Sequence, residues 1–482
     1  MTQNSNKVGM QTTAQMSVPM GQKVAFGIGM LANQMFPAAL GVFLVVLVQD
    51  LGFSPIQWGF IFFAPRIFDA ITDPIMGYIS DNTKSRWGRR RQYVFIGGII
   101  MGIAYIAMWQ LYKDNSLSYN FWYFMAWSII FYLGLTIFSV PYVAMGYEMS
   151  DDFHERTNIM AVAQFIGQWA WVIAPWFWVI LYDADWFPNG ADDGVRKLSI
   201  FVALACTIFA LIPAIFIKSK STIDRTDFLP VNAKYVTGSV KGIYASALDA
   251  FKIPQFRKLA FATFLVFNSF NIIASFTFFI IVYYLFGGDA GGAGIWPALH
   301  GCVGALITTF LVIPLVASIS RRLGKKKTFL ISQGISIIGY VLFWFLFIPG
   351  KPYMFLFALP FHSFGIGGLF TLMMSMTADV CDLDELNTGK RREGVLGAVY
   401  WWMVKFGLAF AGLLSGLILA VVKFDPEAAT ESAITGMRLF YTLLPIVGVL
   451  MAMWIMRNYD ITETKAAEIR KILAEIKQNE II

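Results

Sequence analysis

DAITDPIMGYISDNTKSRWGRRR, Asp69 to Arg91, sets two carboxylates four residues apart inside an apolar run and ends that run in a burst of positive charge. What this stretch means depends on whether the run lies in a bilayer, and the rest of the chain answers that. Of 482 residues, 57% are hydrophobic and only 14% charged, and the mean hydropathy is +0.62. That is beyond what a soluble protein carries, whether it has one core or several. The apolar runs are about 20 residues or longer, enough to cross a ~30 Å hydrocarbon layer as a helix. They lack the alternation of barrel strands. The reading is an all-α membrane protein of twelve transmembrane helices, beginning near residues 24, 58, 93, 121, 158, 198, 258, 297, 327, 352, 394 and 436.

The first 23 residues are polar and show no apolar core followed by a small-residue cleavage site, so the first span is expected to serve as its own targeting signal. Cys206, Cys302 and Cys381 fall in or beside predicted helices without metal-ligand spacing, and packing thiols are expected. His154, His300 and His362 are scattered, with neither metal nor triad spacing, which speaks against a membrane-embedded enzyme. With an even number of spans, both termini share one side. Of the 37 Lys and Arg residues, 29 fall on that side, Arg66 and Lys405 lie within spans, and the opposite side holds Lys113, Arg196, Lys197, Lys351, Lys423 and Arg438. The positive-inside bias therefore predicts cytoplasmic termini. It also accounts for the net charge of +7 without a nucleic-acid partner.

The longest hydrophilic stretch between spans, residues 218–257, lies near the middle of the chain and divides it. The expected plan is a tail over 1–23, a six-helix bundle over 24–217, a cytoplasmic linker over 218–257, a second bundle over 258–457 and a tail over 458–482. Across the linker the chain echoes itself. SDNTKSRWGRRR after span two resembles SISRRLGKKKTF after span eight, with Gly88 and Gly324 matched about half a chain apart. A parallel duplication of six helices, each with a basic Gly-containing loop after its second helix, is the pattern of the major facilitator architecture. Such loops hold positive charge on the cytoplasmic side, and in this architecture they also latch the halves together.

A carboxylate at mid-bilayer costs roughly 2.5–3.5 kcal/mol, so a retained one is paired or employed. Arg66, Asp69 and Asp73 share one face of span two. Arg66 is placed to neutralise Asp69, but acids at i and i+4 repel unless a cation or proton joins them. Lys405 in span eleven is the other buried charge and belongs to the second half. It could neutralise the acids whenever the cation is absent; a fixed structural ion pair is the alternative. Gln164, Gln168 and Trp171 on one face of span five, Asn33 and Gln34 on span one, and Trp401 near Lys405 form an amide and aromatic set. Amides hydrogen-bond hydroxyls and an indole stacks on a sugar ring, so the set suits a polyhydroxylated ligand.

The segments RIFDAITDPIMGYISDNTKSRWGRRRQ, VPYVAMGYEMSDDFHERT and ADVCDLDELNTGKRREG, with WMVKFG of span eleven, closely resemble the glycoside-pentoside-hexuronide:cation symporters, a branch of the major facilitator superfamily. The resemblance implies that Asp69 and Asp73 bind the coupling cation, Na+ or H+, and that Lys405 lies beside it. It also implies a cytoplasmic gate of Arg156, Asp379, Asp382, Glu385 and Arg391 that joins the halves by salt bridges. The chain departs from the family's melibiose carriers at the sugar: Gln34 and Gln164 stand where that pattern has an aspartate and an arginine, and Ser139 and Val143 stand for an aspartate and a tryptophan. Melibiose is thereby disfavoured, and Ser139 can still offer the cation an oxygen. Cation-coupled symport of a glycoside, oligosaccharide or hexuronide by a monomer in a bacterial inner membrane, with no cofactor beyond the coupling ion, is the expectation. A Na+-coupled lysolipid carrier of the same fold is the alternative.

Overall fold

The structure, a computed structural model, describes residues 18–150, 153–219, 221–223, 231–389 and 392–479, and is helical throughout. The first six spans are α1 (Met20–Gln49), α2 (Pro55–Asp81), α3 (Arg91–Met108), α4 (Leu117–Glu148), α5 (Phe153–Ile173, continued through Ala174–Trp176 and Phe177–Leu181) and α6 (Ala191–Phe216). A short helix α7 (Ala233–Ala250) follows. The remaining spans are α8 (Pro254–Phe279, prolonged by the π turn Ile280–Leu285), α9 (Trp296–Ile307, Thr308–Val312 and Ile313–Leu323), α10 (Lys325–Leu346), α11 (Pro352–Ala358 and Leu359–Thr388), α12 (Glu393–Val421) and α13 (Glu431–Met456). Helix α14 (Glu463–Asn479) closes the chain.

Among the described residues, eleven helices are long and apolar enough to cross a membrane. The twelfth span is α2: its 27 residues reach roughly 40 Å, so it falls short in composition and not in length. Arg66, Asp69 and Asp73 sit in its middle, bracketed by Pro65 and Pro74. Each proline removes an N–H and leaves a carbonyl one turn back without its helical partner, which makes the charged segment the most polar stretch of the helix. The start of α2 is firmly specified. Ser54 Oγ accepts from Gln57 N at 3.3 Å while Gln57 Oε1 accepts from Ser54 N at 3.0 Å, with Pro55 at the first position.

The internal echo is structural. In the first half α1 packs on α5 and α6, and α3 on α4 and α6; in the second half α8 packs on α12 and α13, and α10 on α11 and α13. Gly88 and Gly324, matched in sequence, have φ of +85° and +80°, a conformation that favours glycine. Each basic loop pairs with acids of its own half. Arg89 and Arg90 grip Glu148 at the end of α4, Arg90 also holds Asp81 at 2.7 Å, and Lys325 holds Asp379 of α11 at 2.5 Å. Each of these pairs lies within one half, and none of them joins the two halves.

The halves meet along two seams, α2 against α12 and α5 against α9. The first is built on glycine. A methyl group on Gly416 would lie 2.7 Å from Gly59 Cα, and one on Gly59 would lie 3.2 Å from Gly416 Cα, so small residues set the close approach. On the side opposite the termini, called distal below, the halves are joined tightly. Trp178 of α5 stacks on Phe278 of α8 at 4.1 Å, and Tyr283 Oη donates to Gln49 Oε1 at 2.6 Å. Near the opposite ends of α2 and α12, helix α7 rests against both. Its Tyr244 stacks on Trp402 at 5.2 Å.

Candidate functional site: an ion-paired acid couple between the halves

The α2–α12 seam brings the acids of one half to the lysine of the other. Lys405 Nζ lies 2.6 Å from Asp69 Oδ2 and also donates to Asp73 Oδ2. The i, i+4 spacing puts both carboxylates on one helix face, and the glycine approach brings α12 near enough for one ammonium to reach both. On their other oxygens the acids share Thr136 of α4, whose Oγ1 lies 2.6 Å from Asp69 Oδ1 and 3.2 Å from Asp73 Oδ1. Thr72 Oγ1 stands 3.2 Å from the same hydroxyl. Asp69 is nearly closed off, whereas the Asp73 and Lys405 side chains retain 21% and 30% exposure. The ammonium thus holds one oxygen of each carboxylate and the Thr136 hydroxyl holds the other.

Two sequence expectations change at this site. Arg66 makes no ion pair with Asp69 among the described residues. Its Nη1 donates instead to Phe62 O at 3.3 Å, and its guanidinium stands 5.3 Å from the Phe62 ring and 5.9 Å from that of Tyr132. The partners Asp69 takes are the tertiary ones, Lys405 on one oxygen and Thr136 on the other. The hydroxyl on the acids belongs to Thr136; Ser139, one turn on, makes no hydrogen bond to either acid among the described residues.

The amide and aromatic set is partly assembled. Trp171 Nε1 donates to Gln34 Oε1 at 3.0 Å, and Gln34 Nε2 donates to Gln164 Oε1 at 3.4 Å, joining α1 to α5. Gly167 allows this, since a methyl group there would lie 2.8 Å from Gln34 Nε2. Gln168 lies in a narrow cleft with Phe165 and Trp169, facing Thr309 and Phe310 of α9. Asn33 donates to Met30 Sδ at 3.9 Å, and exposed Trp401 packs edge-on against Tyr400. These three stand apart from the hydrogen-bonded trio.

Of the expected gate, Asp379 is held by Lys325 of its own half and does not reach across. Arg156 begins α5 and Asp382 and Glu385 lie in the last turns of α11, while Arg391 falls outside the described residues. A further ion pair there escaped the sequence reading: Arg392 grips Asp384 in a fork at 2.8 and 2.6 Å.

A cavity of about 480 Å³ opens on the distal surface, lined by Gln49, Asp50, Ser54, Lys423, Asp425 and Glu427 among others, and includes none of the expected substrate residues. Asp50, just past the end of α1, accepts from Tyr182 Oη at 2.7 Å. Burial pushes its pKa up to about 6, against the opposing pull of the Tyr182 bond and the Lys113 charge.

The chain is similar to known proteins over nearly its whole length. The MFS/sugar transport protein family matches residues 25–463. The chain is 24% identical to the glucuronide carrier protein homolog of Escherichia coli (strain K12), covering 92% of this chain and 93% of that one. It is 25% identical to the inner membrane symporter YicJ of the same organism, covering 95% of each, and 24% identical to the lactose permease of Leuconostoc lactis, covering 93% and 71%. Among solved structures, the nucleoside transporter NupG superposes with a TM-score of 0.65 at 14% identity, covering 92% of this chain and all of that one. The D-xylose-proton symporter does so at 0.58 and 15%, covering 90% and 96%; both likenesses concern the fold. The chain is a multi-pass membrane transporter and belongs to the MFS/sugar transport protein family, in its glycoside-pentoside-hexuronide:cation symporter branch.

Proposed function

We propose that the protein couples the downhill entry of Na+ or H+ to uptake of a glycoside, oligosaccharide or hexuronide, and that Asp69 and Asp73 are where the cation binds. The observation that carries this reading is Lys405 of the second half lying on both acids of the first. An ammonium there stands in for the coupling cation in the empty carrier. A cation that displaces it changes the contacts between the halves, and that ties ion loading to the motion of alternating access. Two carboxylates and the Thr136 hydroxyl offer Na+ several hard oxygens, while either carboxylate alone can take a proton. The trio of Gln34, Gln164 and Trp171 offers amides and an indole to a sugar. The bundle boundaries at 24–217 and 258–457, cytoplasmic termini, a gate around Arg156, Asp382 and Glu385, and a monomeric working unit belong to the same proposal.

The test is uptake into membrane vesicles of a panel of radiolabelled monosaccharides, disaccharides and uronides under imposed Na+ or H+ gradients. Asp73→Asn, which removes one of the two carboxylates, should abolish accumulation against a gradient. Substantial uphill uptake by that variant would leave the acids as a structural ion-pair network.

A further inference from the structure

Arg66 is the charge that the cation reading leaves over. It is 7% exposed and lies in the interior of a membrane span, yet no carboxylate lies within 4.0 Å of it among the described residues. Among the described residues its one hydrogen bond is the 3.3 Å contact to a carbonyl of its own helix. A guanidinium carries five donors in a planar fork whose geometry matches a carboxylate or a phosphate. The two nearby acids do not pair with it among the described residues; each holds Lys405 with one oxygen and Thr136 with the other. The count of formal charge then matters. Arg66, Lys405, Asp69 and Asp73 form a neutral set, and among the described residues no other charged side chain pairs with any of them. Adding one monovalent cation to the acids gives the set a net charge of one positive unit inside the membrane, where an uncompensated charge is costly. An arriving anion removes it.

We propose that Arg66 recognises an anionic group of the substrate, a carboxylate or a phosphate, and that cation binding at Asp69 and Asp73 creates the positive charge this group neutralises. The inference deepens the reading above and rests on its cation site. It narrows the substrate to monoanions such as uronides, with a lysophospholipid headgroup as the other source of the same chemistry. The amides Gln34 and Gln164 fit this, since neither adds a negative charge that would repel an anion. One cation carried with one monoanion moves no net charge, so uptake should be insensitive to membrane potential.

The experiment uses the purified full chain in nanodiscs. Binding is measured for methyl glucuronide against methyl glucoside, methyl galacturonide against methyl galactoside, and lysophosphatidylglycerol against monoacylglycerol, each in NaCl and in choline chloride at two pH values. With cation present, the wild type should prefer the anion of at least one pair by about tenfold or more, the scale of a charge-assisted hydrogen bond. The pair that shows it separates a sugar acid from a lipid phosphate. Arg66→Gln should shrink that preference below twofold, and Arg66→Lys, which keeps the charge and loses the fork, should cut it several-fold. Equal binding within every pair, no binding of any anionic probe, or an anion preference that survives Arg66→Gln overturns the assignment. If Arg66→Gln does not fold, an unchanged preference in Arg66→Lys overturns it instead. Stabilisation of the wild type by Na+ or acid without any probe is recorded in parallel. Its absence sinks the cation site itself, whereas its presence without anion preference sinks only the role of Arg66.

Discussion

Replacing Lys405 with glutamine removes the ammonium from both acids at once, and the structure sets the scale of the effect. Breaking a buried ion pair by deleting one partner costs about 3–5 kcal/mol. The Lys405 side chain keeps 30% exposure, so screening places the cost near the lower end, about 3 kcal/mol. In the wild type an entering cation must overcome that interaction; in Lys405→Gln it does not. Apparent cation binding should therefore tighten by about 10²-fold. At a cation concentration equal to the wild-type dissociation constant, the wild type gains about 0.4 kcal/mol of stability and the variant about 3 kcal/mol. Lys405→Gln is thus fragile in choline buffer and near wild type in saturating cation. The assay is thermal unfolding of purified protein at one scan rate, titrated with NaCl at constant ionic strength and, separately, with pH. Cation-dependent stabilisation of the variant equal to or smaller than that of the wild type would refute the competition. Uphill transport should be lost in either case, because cation binding no longer switches a contact between the halves.

Two further outcomes follow from the same geometry. Thr136→Val, which keeps the volume and removes the hydroxyl, should raise the Na+ concentration for half-maximal stabilisation about tenfold, whereas Ser139→Ala should leave it within twofold; equal effects would move the third oxygen back to Ser139. At the distal surface the pKa of Asp50 lies at about 6 rather than 3.8, so its buried form is favoured when protonated. Stability from this group is fully present below about pH 3.8 and is lost as pH rises through about 6, a change of roughly 3 kcal/mol. Asp50→Asn should flatten the melting temperature between pH 4.5 and 7.5, and a slope like that of the wild type would assign the dependence to another group.

The helices and the charged face were legible because a bilayer makes both conspicuous: runs of about 20 apolar residues, and three charges inside one of them. Lys405 was legible for the same reason. Its pairing with the acids was read as well; that Arg66 would stay out of the pair was not. Asp69 has Arg66 one turn away in sequence and takes Lys405, 336 residues distant, because the glycine seam of Gly59 and Gly416 decides which helix comes close. Thr136 gave no signal, since a threonine in a span commonly bonds its own helix backbone. Helix α7 lay inside a stretch read as linker, its polar composition concealing that it docks on α2 and α12. The distal closure through Trp178, Phe278, Gln49 and Tyr283 is a set of contacts between the two halves, and nothing local announces it. His300 and His362 read as scattered, yet their rings stand 6.5 Å apart within the second half.

The separation of the acids from their lysine has a consequence for how the chain is made. Asp73 and Lys405 are 332 residues apart, and synthesis runs at about 5–20 residues per second. For roughly twenty seconds to a minute, therefore, the nascent protein holds two acids in a young transmembrane helix before the cation that will neutralise them exists. During that interval α2, the least apolar of the spans, has to stay at a watery margin, accept protons, or borrow an ion from solution. The ligand that drives the finished carrier would then also be a cofactor of its assembly, helping the first half to wait for the second.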